Sequence, residues 1–203
     1  MSDFTYETTP RQNPLETYEW DNTWIEHSER TDQPRVLYIG DSISCGTRKA
    51  ANQLFGERFL FDGFGTSKAL DNPVFFESVC LFASQEPRRD LILLNNGLHG
   101  WHMEDEGEYA RCYEAFVKRL MQEYPQTPLF LLLTTYVRDD VQCARVRVRN
   151  KIAEDIGRKY ALPVIDLYTV AYEHRDLITD GVHFSTDGYQ YLARKIFEAI
   201  TAI

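Results

Sequence analysis

The sequence predicts an α/β domain, a parallel sheet with helices packed on both faces. Three observations lead there. Short, nearly continuous apolar runs recur along the chain, as strands buried on both faces require. Between them lie longer segments whose apolar residues step by three and four, the period of an amphipathic helix. The two kinds of segment alternate, and repeated strand–helix–strand units make successive strands parallel through right-handed crossovers.

Residues 1–34 read as an N-terminal extension packed on the domain, and residues 35–203 as the domain itself. Pro10, Pro14 and Pro34 punctuate the extension, and Trp20, Trp24 and Ile25 are suited to pin it to the body. The apolar runs are 36–39 (VLYI), 59–61 (FLF), 91–94 (LILL), 129–133 (LFLLL) and 164–167 (VIDL). The helical period is clearest in 109–124, through Tyr109, Tyr113, Phe116, Val117, Leu120 and Met121. It returns in 189–200, through Tyr189, Leu192, Ala193, Ile196, Phe197 and Ile200. Val148, Ile152 and Ile156 step by four ahead of the last strand, so the intervening charges of "RVRVRNK" at 145–151 read as a solvated helix face.

A chain of 203 residues suits one domain with room for a core. Its 31 acidic against 22 basic residues leave a net charge of −9, a poor match for nucleic acid or an anionic membrane surface. Cys45, Cys80, Cys112 and Cys143 are scattered, with no C-x-x-C pair and no histidine at zinc-finger spacing, as reduced thiols would be. The first residues lack the basic start and apolar core of a signal peptide, and "LFLLL" is too short to span a bilayer. A cytoplasmic protein is expected, with neither nucleic acid nor membrane as partner. The sequence is silent on oligomeric state.

In open α/β sheets ligands bind in the crevice outside the carboxyl ends of the strands. The residues to inspect are therefore Gly40-Asp41-Ser42, Asp62-Gly63-Phe64-Gly65, Asn95-Asn96-Gly97-Leu98-His99 and Thr134-Thr135-Tyr136, with Asp180-Gly181-Val182-His183 ahead of the last helix. A serine hydroxyl needs a base within hydrogen-bond reach, and the base needs a third group to fix its tautomer. Ser42, His183 and Asp180 have the right chemistry for those three roles, and a helix starting at Ser42 would offer its N-terminal N–H groups to an oxyanion. Each motif also has a plainer use. Asp41-Ser42 suits a helix N-cap, and His183 an ordinary loop ahead of a cap at Ser185. "GDSIS" lacks the Gly-Lys-Ser/Thr of a phosphate loop and the G-x-G-x-x-G of dinucleotide binding. His99 and His102, followed by Glu104, Asp105 and Glu106, lack H-E-x-x-H and read as a solvated acidic loop, so no metal is expected. Cys45 reads as a small buried hydrophobe.

"GDSIS" at 40–44 and "DGVHFS" at 180–185 resemble the first and last blocks of the GDSL, or SGNH, hydrolases, and the resemblance spans about 36–200. It implies a flavodoxin-like three-layer α/β/α sandwich with a mostly five-stranded parallel sheet. It implies a serine hydrolase that cleaves a small-molecule carboxylic ester without a cofactor, an esterase or deacylase with an acyl group on a carbohydrate among the substrate classes. Ser42 is then the nucleophile, His183 the base and Asp180 its orienting acid. The oxyanion hole would combine the N–H groups of Ser42 and Gly65 with a side chain from "NNGLHGW", where His99 takes the place of the family's asparagine and Asn96 is the alternative. Arg138, at the rim of the crevice, and Trp101 are candidate substrate contacts. Two readings compete with catalysis: a catalytically weak SGNH-like module that binds a small ligand, favoured by the altered third block, and a flavodoxin-like nucleotide-binding domain.

Overall fold

Alternation along the strands sorts the apolar residues into two cores, one on each face of a single sheet. Val36, Tyr38, Phe61, Leu91, Leu93, Phe130 and Leu132 face one way; Leu37, Ile39, Phe64, Ile92, Leu94 and Leu131 face the other. A computed structural model describes residues 15–86 and 88–202; Pro10 and Pro14 lie outside the described residues. Its strands are β1 (Asp21–Trp24), β2 (Arg35–Gly40), β3 (Leu60–Thr66), β4 (Leu91–Leu94), β5 (Leu129–Leu132) and β6 (Val164–Ile165). Its helices are α1 (Ser42–Phe55), α2 (Phe75–Ala83), α3 (Glu106–Glu123), α4 (Asp140–Tyr160), α5 (Leu167–Glu173) and α6 (Thr186–Thr201). Residues of α1, α5 and α6 close the first core, and those of α2 and α3 the second. The result is a three-layer α/β/α sandwich.

The strand order is β1-β3-β2-β4-β5-β6. From β2 onward all pairings are parallel, and counting β2 as the first parallel strand gives the flavodoxin-like order 2-1-3-4-5. The order reverses between β2 and β4, which opens a crevice at their carboxyl ends. The turn after β2 therefore delivers Ser42 to the switch point of the sheet.

Three elements differ from the sequence reading. The sheet has a sixth strand, β1, paired antiparallel to β3 with Asp21 opposite Thr66 and Trp24 opposite Gly63. Its sequence, DNTW, has no apolar run because all four residues are exposed and only the backbone is paired. Trp24 is not an anchor: it is 51% exposed and its ring lies 5.3 Å from the guanidinium of Arg48. Secondly, β3 continues through the "DGFG" that reads as a loop. Its glycines let α1 approach closely, since a Cβ on Gly63 would lie 2.5 Å from Arg48 Cδ and one on Gly65 2.3 Å from Cys45 Sγ. Thirdly, the buried face of α4 is not the one marked by Val148. That residue is 48% exposed, while Cys143, Val146, Arg149, Asn150 and Ala153 are buried, so "RVRVRNK" is no solvated face.

Asp62 is fully buried. It accepts hydrogen bonds from the backbone N–H of Glu26 (2.9 Å), from Arg35 Nη1 (3.0 Å) and from Arg89 Nη1 (3.1 Å), a compensated charge within the sheet layer. Among the described residues no helix is long and apolar enough to cross a membrane.

Candidate active site

The turn from β2 into α1 divides its duties between two side chains. Asp41 is the N-cap, its carboxylate accepting from the Ile43 N–H at 2.9 Å. Ser42 is the first helical residue, so its hydroxyl is not used as the cap. The turn is tight enough to need Gly40, where a Cβ would fall 2.6 Å from Ser44 Cβ. Ser44 Oγ donates to the Asp41 carbonyl at 2.6 Å and stiffens the same turn.

Ser42 Oγ lies 2.7 Å from His183 Nε2, although the two residues are 141 positions apart. His183 sits on a pinched loop between α5 and α6. Ile178 and Phe184 form an antiparallel bridge, the Thr179 N–H donates to the His183 carbonyl at 2.7 Å, and the Ser185 N–H donates to Leu177 at 2.8 Å. Ser185, not His183, caps α6. Inside the loop, Asp180 Oδ1 accepts from the N–H groups of Val182 (3.1 Å) and His183 (2.8 Å), and Oδ2 lies 2.8 Å from His183 Nδ1.

The electrostatics follow. Burial pushes the Asp180 carboxyl pKa up, but the backbone N–H and imidazole of His183 and the N–H of Val182 outweigh it, and the net shift is downward. Asp180 is therefore an anion, and it takes the Nδ1–H of His183. That leaves Nε2 bare and aimed at the serine hydroxyl, the tautomer a general base needs. Both side chains remain about a quarter exposed, at 25% for His183 and 28% for Asp180, so the site opens to solvent.

The other residues singled out in the sequence are placed as follows. Gly65 lies within β3, flanked by Gly40 of β2 and Asn22 of β1, rather than on a loop after the strand. Asn95 donates to the Leu132 carbonyl (2.8 Å) and Thr134 Oγ1 (3.0 Å). Asn96 donates to the Lys68 carbonyl at 2.9 Å. The His99 ring is set against the N-terminal segment, with Nδ1 3.8 Å from Glu16 Oε1 and its edge toward Trp20. His102 pairs with Asp71 at 2.7 Å, and Glu106, far from being solvated, pairs with Arg145 and Arg149. The Cys45 thiol is pushed up in pKa, by burial first and by Asp41 second.

The two expected substrate contacts, Trp101 and Arg138, both engage protein groups. Trp101 is only 3% exposed, with the guanidinium groups of Arg145 and Arg149 4.9 and 4.4 Å from its ring centre, so it faces protein and not the crevice. Arg138 turns toward the loop that carries Asp180. Its backbone N–H donates to Gly181 (2.9 Å), and Nη2 to Ile178 (2.6 Å) and Arg175 (3.5 Å). It braces that loop. Sequence reasoning missed Glu16 and Arg149, which hold the loop after β4. A buried arginine becomes legible only when the helical period of α4 is set on Cys143, Val146 and Ala153.

The order of the parallel strands sets a serine at the switch point of a three-layer α/β/α sandwich, with a histidine and an aspartate ahead of the last helix within hydrogen-bond reach of it. Solved structures agree on the fold. A member of the lipolytic protein G-D-S-L family from Veillonella parvula is 20% identical, with 83% of this chain and 99% of that chain covered and a TM-score of 0.66. The acetyl xylan esterase AlAXEase is 17% identical, with 82% and 99% covered and a TM-score of 0.66. A lipase/acylhydrolase from Enterococcus faecalis is 18% identical, with 83% and 96% covered and a TM-score of 0.63. The chain has the fold of the GDSL hydrolases. No family model and no curated protein matches its sequence.

Proposed function

We propose that the protein is a serine hydrolase of the SGNH, or GDSL, type that cleaves a carboxylic ester. The observation that carries this reading is the continuous hydrogen-bonded line from Ser42 through His183 to Asp180, with separations of 2.7 and 2.8 Å. Ser42 Oγ attacks the ester carbonyl while His183 Nε2 takes its proton. Asp180 holds the imidazole in place and balances the charge it gains. The oxyanion forms beside the N-terminus of α1, where the Ser42 N–H and the positive end of the helix dipole favour negative charge. In this reading His99, on the loop after β4, is the third donor. Collapse of the tetrahedral intermediate expels the alcohol, which takes the proton from His183. Water then attacks the acyl-serine by the same route and releases the acid. None of these steps calls for a cofactor.

The acetyl xylan esterases among the structural neighbours support a small acyl group on a carbohydrate as the substrate class. A second reading, a catalytically weak module that binds a small ligand, is favoured by the engagement of both Asn95 and Asn96 amides with backbone carbonyls. One experiment separates the two. Labelling with a fluorophosphonate followed by peptide mapping is expected to modify Ser42, and Ser42→Ala is expected to abolish p-nitrophenyl acetate hydrolysis. Modification elsewhere, or retained turnover in the variant, would refute the hydrolase reading.

A further inference from the structure

A pocket that none of Ser42, Asp180 and His183 lines sits where β1 and α1 meet over β3. Its volume is about 410 Å³, within the usual range of small-ligand sites, and its walls are Trp24, Glu26, Arg48, Lys49, Asn52 and Gln53. The sheet makes room for it. Trp24 of β1 stands opposite Gly63 of β3. A Cβ on Gly63 would fall 2.5 Å from Arg48 Cδ and 2.6 Å from its Nε, so the glycine is what seats the guanidinium.

Most of the frame is tied to protein. Trp24 Nε1 donates to Glu26 Oε2 at 2.6 Å, and Asn52 Nδ2 donates to the same oxygen at 3.0 Å. Asn52 also donates to the Phe61 carbonyl (2.9 Å) and accepts from the Phe61 N–H (2.8 Å). Arg48 is the exception. Only 9% of it is exposed, yet among the described residues no hydrogen bond or ion pair engages its guanidinium, which lies 5.3 Å from the centre of the Trp24 ring. The nearby carboxylates are occupied. Asp62 accepts from the Glu26 N–H, Arg35 and Arg89, and Glu26 Oε2 from Trp24 and Asn52. Both favour the charge of Arg48 only from beyond ion-pair distance.

A buried guanidinium has five N–H donors, and leaving them without acceptors is unfavourable. The pocket that Arg48 lines is where acceptors can come from. A carboxylate matches the planar fork with two parallel hydrogen bonds. Beside it Trp24 is 51% exposed and offers an apolar surface to a ring. Arg48 and Lys49 outnumber Glu26 by one charge, which suits a monoanion better than a doubly charged phosphate. We propose that Trp24 and Arg48 form a binding site for a small carboxylate carried on a ring, with the carboxylate on Arg48 and the ring against the exposed indole. The site is independent of the reading of Ser42 as nucleophile. A sugar acid and an aromatic acid share this chemistry.

The test is isothermal titration calorimetry of the full chain at low salt. The probes are glucuronate and benzoate, their neutral counterparts glucose and benzyl alcohol, and inorganic phosphate. Wild type is compared with Arg48→Met, Arg48→Lys and Trp24→Ala, and circular dichroism and thermal unfolding check each fold. Wild type is expected to bind an acid and not its neutral counterpart, and the acid it prefers identifies the source. Arg48→Met should weaken that binding about 10- to 100-fold, the scale of a hydrogen bond to a charged group. Arg48→Lys should recover only part of the loss, because an ammonium lacks the fork. Trp24→Ala should weaken it about fivefold or more, as loss of an aromatic contact does. Arg48→Met should unfold at no lower temperature than wild type, since no protein group loses a hydrogen bond. No binding of either acid at millimolar concentration, an acid bound no better than its neutral counterpart, or binding of phosphate alone would overturn the proposal. Full affinity in Arg48→Met would overturn it too, as would a marked loss of stability in that variant, which would assign the guanidinium to the fold.

Discussion

Asp180→Asn changes one atom and should nearly silence the protein. Asparagine keeps an oxygen for the two backbone N–H groups of Val182 and His183, now satisfied at 3.1 and 2.8 Å, so the loop should survive. The other position, 2.8 Å from His183 Nδ1, becomes an NH2 group. Two donors cannot face each other at that distance. His183 answers by moving its proton to Nε2, so that Nδ1 accepts from the asparagine and an N–H points at Ser42 where a lone pair is needed. The serine then faces a donor and has no base. The same substitution in a serine protease triad lowers kcat by about 10⁴-fold, equivalent to roughly 5.4 kcal/mol of transition-state stabilisation. The assay is kcat for p-nitrophenyl acetate, with circular dichroism to show that the fold is intact. A folded Asp180→Asn within tenfold of wild type would refute the assignment of Asp180 as the orienting acid.

Three further outcomes are expected. Ser42→Ala should lose turnover but shift stability by no more than about 1 kcal/mol, since Asp41 and not Ser42 caps α1; a larger loss in denaturant unfolding would mean that the serine also supports the fold. The folded-state pKa of Asp180 is depressed below its ordinary 3.8, so its contribution to stability is complete above that value and is lost as pH falls through the lower folded value. The stability gap between wild type and Asp180→Asn should therefore close below about pH 4 in acid titrations of unfolding. Asp62→Ala should destabilise by about 3–5 kcal/mol, because it strands the buried charges of Arg35 and Arg89; a urea-unfolding loss under 1 kcal/mol would contradict the compensation described above.

The readability of this chain divides along physical lines. The five parallel strands were legible because strands buried on both faces must be apolar throughout; Ser42, after such a run, and Asp180 and His183, ahead of the last helix, were singled out by residue type and motif, and the structure brings the three side chains together. The strand β1 was not legible, because DNTW pairs by backbone alone and exposes every side chain. The length of β3 was hidden by two glycines that look like a turn and are there to admit Arg48 and Cys45. Arg149 and Trp101 were misjudged for one reason. A charge and an aromatic ring stacked together inside the protein look, in sequence, like a solvated face and an exposed contact. Glu16 gave no signal, since its partner Gly100 is 84 positions away and nothing local marks a carboxylate that will be buried against a distant loop.

The distance along the chain between Ser42 and His183 has a practical side. The proposed nucleophile belongs to the first crossover and the proposed base to the loop ahead of α6, and the helices α1 and α6 pack directly on each other. Any cut through the domain between these helices leaves each fragment with an incomplete set of reacting groups. The exposed tip between α3 and β5, near Gln126, is such a place. Two fragments divided there should be silent when separate and should regain hydrolysis when brought together, each restoring what the other lacks. Ester cleavage would then report on reassembly of the entire sandwich, which suits the chain to use as a split reporter of association between whatever is fused to its halves.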